Sequence, residues 1–260
     1  MCNKLFPYFL LSILILVLLL VFTPLVLLVL RGIASIGTCI QSEEILFSIR
    51  LSLITSSIST LICLLFSLPA AYCLARLKAK AKKIISILIF LPMSLPHLIS
   101  GIALLLLLGN SGIGGFLSKF GVDFIFTKKG IVAAQVFINI SFMIKILKTA
   151  IEESSVKMEF IARTLGCNNW QSFVYITIPS IKSNIFSSLV ITWSRALGEF
   201  GAVIMLAGTT RMKTEVLPTA IFLNMSTGDL DIAIGTATIL ITISLISLLL
   251  FEIIERKSMS

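Results

Sequence analysis

EFIARTLGCNNWQSFVYITIP occupies residues 159–179. It is a polar-to-amphipathic stretch set between apolar runs, each long enough to cross a bilayer. A segment this long, with a helical pattern, points to contact with a soluble partner. Phe160, Ile161, Thr164 and Leu165 share one helix face, and Gly166 is placed to end that helix. Trp170, Phe173, Val174 and Ile178 make a second amphipathic stretch, and Pro179 restarts the chain toward the next apolar run. The alternative reading is a helix lying on the lipid surface.

Composition agrees with a lipid solvent. The 260 residues are 57% hydrophobic and 13% charged, with mean hydropathy +1.09. A soluble domain carries about 25% charged residues. The net charge of +9 does not indicate nucleic acid, because the basic residues sit in short connections between apolar runs. The five cysteines have no paired spacing, so no disulfide and no metal site are expected.

A spanning helix needs about 20 apolar residues. Six runs qualify: 8–30, 49–74, 84–108, 131–151, 185–206 and 232–254. The first is too long for the core of a secretory signal, about 7–15 residues, and reads as a retained helix. Lys4, Arg76, Lys78, Lys80, Lys82, Lys83, Lys145, Lys148, Lys157, Arg163, Lys182, Arg256 and Lys257 fall on one side. Arg31, Arg50, Lys119, Lys128, Lys129, Arg211 and Lys213 fall on the other. That asymmetry places both termini and residues 159–179 in the cytoplasm. The outer segments 109–130 and 207–231 are long enough to dock something outside.

Ala162-Arg163-Thr164-Leu165-Gly166, a nine-residue gap and Ile176-Thr177-Ile178-Pro179 resemble the EAA loop of ABC importer permeases. That pattern is Glu-Ala-Ala, three residues, Gly, nine residues, Ile-x-Leu-Pro. The glycine, the spacing and the proline match. The pattern's Glu falls on Phe160, with Glu159 one residue early, and its first Ala falls on Ile161. The resemblance implies a coupling helix that fits a groove on an ATP-binding subunit. Glu159, Phe160, Ala162, Arg163, Thr164, Leu165, Gly166, Ile176 and Pro179 would be its coupling residues.

Arg195-Ala196-Leu197-Gly198-Glu199-Phe200-Gly201-Ala202 is similar to the span-five motif of molybdate and tungstate permeases. Lys213–Ile221 with Thr227-Gly228-Asp229-Leu230 resembles their outer loop, and Leu95–Ala103 their third span. Sulfate and thiosulfate permeases are close relatives. The resemblance implies an all-α membrane protein of six transmembrane helices with the type I ABC importer permease fold, working as a homodimer. Residues 1–44 would be the first helix and outer loop, 45–255 the ABC transmembrane type-1 domain with its coupling loop at about 152–179, and 256–260 a cytoplasmic tail. Implied partners are a second copy, two ATP-binding subunits and an extracytoplasmic molybdate- or tungstate-binding protein. Mg-ATP would sit on the ATPase, and this inner-membrane chain would carry no cofactor. Such a subunit moves an oxyanion inward by alternating access. A sulfate permease, a secondary anion transporter and a membrane enzyme are the alternatives. No half-to-half repeat and no catalytic motif supports the last two.

Several residues carry expectations of their own. Arg195 and Glu199 stand at i and i+4 and can touch on one helix face. Ionisable groups at this depth avoid lipid, so the pair either braces the bundle or lines the path. Ser194, Gly198 and Ala202 form a small-residue stripe for close helix contact. Ser52, Ser56, Ser59 and Ser67, with Cys63, line one face of span two, as a packing seam or as donors to an oxyanion. Pro92 and Pro96 interrupt span three, and His97 is expected to make a local hydrogen bond.

Overall fold

The computed structural model describes residues 2–77 and 79–259, with side chains for 6–77, 80–250, 252 and 253. Lys78 and Ser260 thus lie outside the described residues, as do the side chains of Lys4 and of the tail 256–260 with its Arg256 and Lys257. The described residues are helical, with no strand among them.

In chain order the long elements are α1 (Cys2–Gln41), α2 (Glu43–Arg76), α3 (Ala79–Ser94), α4 (His97–Leu108), the short α5 (Ile113–Ser118) and α6 (Lys128–Glu153). Then come α7 (Val156–Thr164), α8 (Asn169–Ser172), a π-helical turn (Phe173–Thr177), α9 (Ile178–Ser180) and α10 (Lys182–Leu197). The chain ends with α11 (Gly201–Ala207), α12 (Leu217–Thr227) and α13 (Leu230–Met259).

Four unbroken helices, α1, α2, α6 and α13, are long and apolar enough to cross a membrane. Two further helix pairs are apolar enough only when each bent pair is taken together. α3 and α4 meet at 108°, and the Asn169–Ser180 helix meets α10 at 72°. The bend in span three lies at Leu95-Pro96, not at Pro92, which α3 accommodates. A residue before proline is pushed out of the α region, and Pro96 itself is extended, with ψ of 133°. Span five departs from expectation more. The helix expected over 185–206 stops at Leu197, Gly198 caps it, and α11 restarts at Gly201. Ser194, Gly198 and Ala202 therefore do not form one stripe. Ser194 faces Ser247 of α13 at 3.4 Å, whereas Ala202 packs against Gly101 of α4.

α2 against α6 is the spine. Ser52, Ser56, Ser59, Cys63 and Ser67 of α2 are all buried. The Ser67 hydroxyl donates to the Ile140 carbonyl at 3.3 Å, and the Cys63 thiol to that of Val136 at 3.8 Å. Small side chains bring the two backbones close, which is how helices associate where lipid offers no hydrophobic drive. Below that seam Leu74, Met143, Leu147, Ile151 and Ile181 form one buried cluster. At the opposite end Leu51, Ile131, Ile138, Val203 and Leu206 form another. α1 stands at the edge, crossing α13 through small residues: a Cβ on Gly235 would come within 2.6 Å of the Cys39 sulfur. Its apolar side chains otherwise stay exposed, as suits a surface bathed in lipid.

Candidate coupling segment and intramembrane polar contacts

The stretch 159–179 folds as a compact hairpin. α7 ends in Gly166, whose φ of +96° only glycine adopts without strain. The Cys167 N–H turns back to the Ala162 carbonyl at 3.0 Å. Asn168 then opens the next helix with a capping box: its side chain accepts from Gln171 N–H at 2.7 Å, and the Gln171 side chain accepts from Asn168 N–H at 2.8 Å. The Asn-x-x-Gln spacing was a readable sign of that start.

Glu159 points inward. It is 3% exposed. Its carboxylate accepts from Arg76 at the end of α2, from the Thr177 hydroxyl at 2.9 Å and from the Tyr72 hydroxyl at 3.2 Å. Burial alone would raise its pKa. The hydrogen bonds from Arg76 and Thr177 outweigh that and hold the carboxyl below the usual carboxylate range. Tyr72 stacks on Phe173 at 4.6 Å, and Phe173 meets Trp170 at 5.8 Å. Beside this anchor Lys82 pairs with Glu152, as does Lys148 at 3.0 Å. So α2, α3, α6 and α7 are tied at one end by ion pairs.

The remaining coupling candidates divide. Ala162 is buried, Ile176 is half-buried, and Phe160, Arg163, Thr164, Gly166 and Pro179 are exposed. Leu165 is 81% exposed. Met158, Ile161 and Trp170 stand out beside it. The hairpin thus presents an apolar surface while its carboxylate is turned toward the bundle.

Arg195 and Glu199 do not meet. The break at Gly198 separates them, and each has another partner. Arg195 Nε donates to Asn139 Oδ1 at 3.2 Å, and its guanidinium lies 4.6 Å from the Phe142 ring centre. Glu199 is buried, accepts from Ala202 N–H at 3.1 Å at the start of α11, and pairs with His97 Nδ1 at 2.9 Å. A carboxylate suits the first turn of a helix. The His97 contact joins the two breaks, and Gly201 lets them approach: a Cβ there would sit 2.8 Å from that of His97.

Ser52 and Ser56 are buried apart from these groups. Ser52 Oγ accepts from Leu217 N–H at 2.7 Å, holding the start of α12, and Ser56 donates within its own helix to Leu53 at 3.2 Å. Two residues not singled out from sequence complete the polar interior. Gln135 donates to the Ala196 carbonyl at 2.9 Å, and Asn139 donates to the Gln135 carbonyl at 2.9 Å. Two amides four positions apart in an apolar span were the available sign.

The binding-protein-dependent transport system inner membrane component model matches residues 64–259. The chain belongs to that family. The permease is 34% identical to the sulfate transport system permease protein CysW of Synechococcus elongatus, over 81% of this chain and 74% of that one. It is 33% identical to the probable molybdenum ABC transporter permease protein HVO_B0370 of Haloferax volcanii, over 84% and 78%. A bacterial ABC transporter for import of the polysaccharide alginate superposes with a TM-score of 0.79 at 21% identity, covering 98% of this chain and 96% of that chain. The fold is therefore that of type I ABC importer permeases, and this chain is the permease subunit of an ABC importer. Permeases of this kind are not themselves enzymes.

Proposed function

We propose that the permease carries molybdate or tungstate into the cell by alternating access. It works as a homodimer whose two hairpins each dock on a separate ATP-binding subunit that holds Mg-ATP. Both termini and the hairpin lie in the cytoplasm, and an extracytoplasmic binding protein delivers the anion to the outer segments. The observation that carries this reading is the orientation of the hairpin. Glu159 is locked onto Arg76 and Thr177, so that Phe160, Ile161 and Leu165 project as a firmly braced lever. Movement of the ATPase is passed through that anchor to α2, and through the α2–α6 seam to the bent crossings. Arg195 supplies a positive charge for the passing oxyanion. Its exposed guanidinium is steered by Asn139 and Phe142, which bind it without neutralising it.

The choice of anion rests on residues 195–202 and 213–230. A sulfate permease is the second reading, favoured by the 34% identity to a sulfate permease. Reconstitution with a candidate ATPase and a candidate binding protein tests both. Binding-protein-dependent ATP turnover and uptake should respond to molybdate and tungstate at concentrations where sulfate has no effect. The reverse order overturns the molybdate reading, and no response to any oxyanion overturns the importer of oxyanions altogether.

A further inference from the structure

A groove of about 520 Å³ runs between α2 and α6 and opens at the protein surface. Leu51, Ile54, Ile58 and Ile62 form its α2 wall, and Val132 and Val136 its α6 wall. These α2 positions recur at helical spacing along one face. From Leu51 to Ile62 the helix rises about 16 Å at about 1.5 Å per residue. That is one leaflet of a hydrocarbon core about 30 Å thick.

The groove ends in charge. Lys128 and Lys129 stand at its Leu51 end. A smaller hollow of about 310 Å³ continues from there, lined by Arg50, Phe47 and Lys128 and sharing Leu51 and Ile54. Among the described residues, none of the three cations forms an ion pair. Lys128 Nζ lies 5.3 Å over the Phe47 ring. Of the carboxylates near in sequence, Glu44 is engaged by Arg211 at 2.9 Å, and Glu43 and Asp123 pair with none of them. An apolar trough one leaflet deep, headed by three unpaired cations, has the shape and charge of an anionic phospholipid. We propose that this groove binds one, with an acyl chain along Leu51–Ile62 and the phosphate among Arg50, Lys128 and Lys129.

A second copy's helix fits less well. It would need a trough crossing the full core, and α1 has no carboxylate to offer. A free oxyanion would use the cations and leave the apolar trough empty. The inference does not depend on which anion the permease carries.

The test is native mass spectrometry of the full-length permease, purified from equal phosphatidylglycerol and phosphatidylethanolamine. The wild type should retain phosphatidylglycerol at least tenfold over phosphatidylethanolamine. Arg50→Gln/Lys128→Gln/Lys129→Gln should lose the preference, and Arg50→Lys/Lys128→Arg/Lys129→Arg should keep it. Ile58→Trp, which fills the trough and leaves the cations, should release the lipid, and it decides the matter if the triple glutamine variant cannot be recovered. Equal retention of both lipids overturns the proposal, as does a preference that survives both Gln and Trp variants. Displacement of phosphatidylglycerol by millimolar molybdate, sulfate or inorganic phosphate overturns it too, and assigns the cations to a free oxyanion.

Discussion

Arg76, the last residue of α2, donates to the carboxylate of Glu159 in α7 across 83 positions of sequence. The acceptor side chain is 4% exposed and the donor 24%. Thr177 and Tyr72 share that carboxylate, so a single group ties a long helix to both arms of the hairpin. Removing one partner of a buried pair costs about 3–5 kcal/mol. Access of Arg76 to water lowers this to about 2 kcal/mol. Glu159→Ala should therefore speed hydrogen exchange in α7 about 30-fold, with exchange in the α2–α6 seam unchanged. Arg76→Ala should do nearly the same, and the double variant should add little to either. Additive effects would mean that the two side chains hold the hairpin independently.

Leu165 is the most exposed large apolar side chain of the hairpin, at 81%, and Phe160 is 63% exposed. Neither supports the bundle, so a charge at either site should leave the fold alone. If this surface meets the ATPase, Leu165→Asp should weaken co-purification of the ATP-binding subunit at least 30-fold, which is about 2 kcal/mol and typical of a central contact residue. Thermal stability of the isolated permease should not change. An undiminished complex with the Leu165→Asp, Phe160→Asp double variant would place the docking surface elsewhere.

Hydropathy showed where the crossings are, because twenty apolar residues in a row have few other uses. It did not show that two of them bend. Pro92 and Pro96 looked equivalent as breakers, yet only Leu95-Pro96 turns the chain, since α3 keeps its remaining bonds around Pro92. Arg195 and Glu199 were legible as ionisable groups within the membrane, but their pairing assumed an unbroken helix. Gly198 alone does not announce a break. The break is held by Glu199 capping α11 and reaching His97, a contact between distant segments that no local pattern contains. The hairpin was legible through Gly166 and its spacing. The inward turn of Glu159 was not, because its partners Tyr72 and Arg76 lie two crossings away.

The His97–Glu199 contact at 2.9 Å joins the break at Leu95-Pro96 to the break at Gly198. His97→Ala should remove about 1–2 kcal/mol of net interaction and lower the melting temperature by about 2–6 °C for a chain of this size. Glu199→Ala should cost more, because Ala202 N–H loses its acceptor as well. In the reconstituted importer, His97→Ala should raise ATP turnover in the absence of binding protein, as the joined breaks no longer move together. Unchanged basal turnover with a lowered melting temperature would leave the contact a brace and nothing more.

Glu215 gives a pH dependence whose sign can be worked out. It sits between α11 and α12, 1% exposed, and its Oε2 has no partner among the described residues. Burial, and then the nearby Glu44 carboxylate, push its pKa up; Arg211 and the Met212 N–H pull the other way without prevailing. A carboxyl raised in the native state favours the protonated form there. The unfolded chain loses its proton first as pH rises, so the native state binds more protons and stability falls with rising pH. The loss begins near the ordinary carboxylate value and is complete above the raised native one. Glu215→Gln removes the titration and keeps the shape. It should raise the melting temperature at pH 8 by about 2–4 °C, equivalent to about 1 kcal/mol, with a smaller gain at pH 5. An equal gain at both values would mean that the charge of Glu215 is already neutralised, and that the segment before α12 is held by Ser52 on Leu217 without any cost from the buried acid.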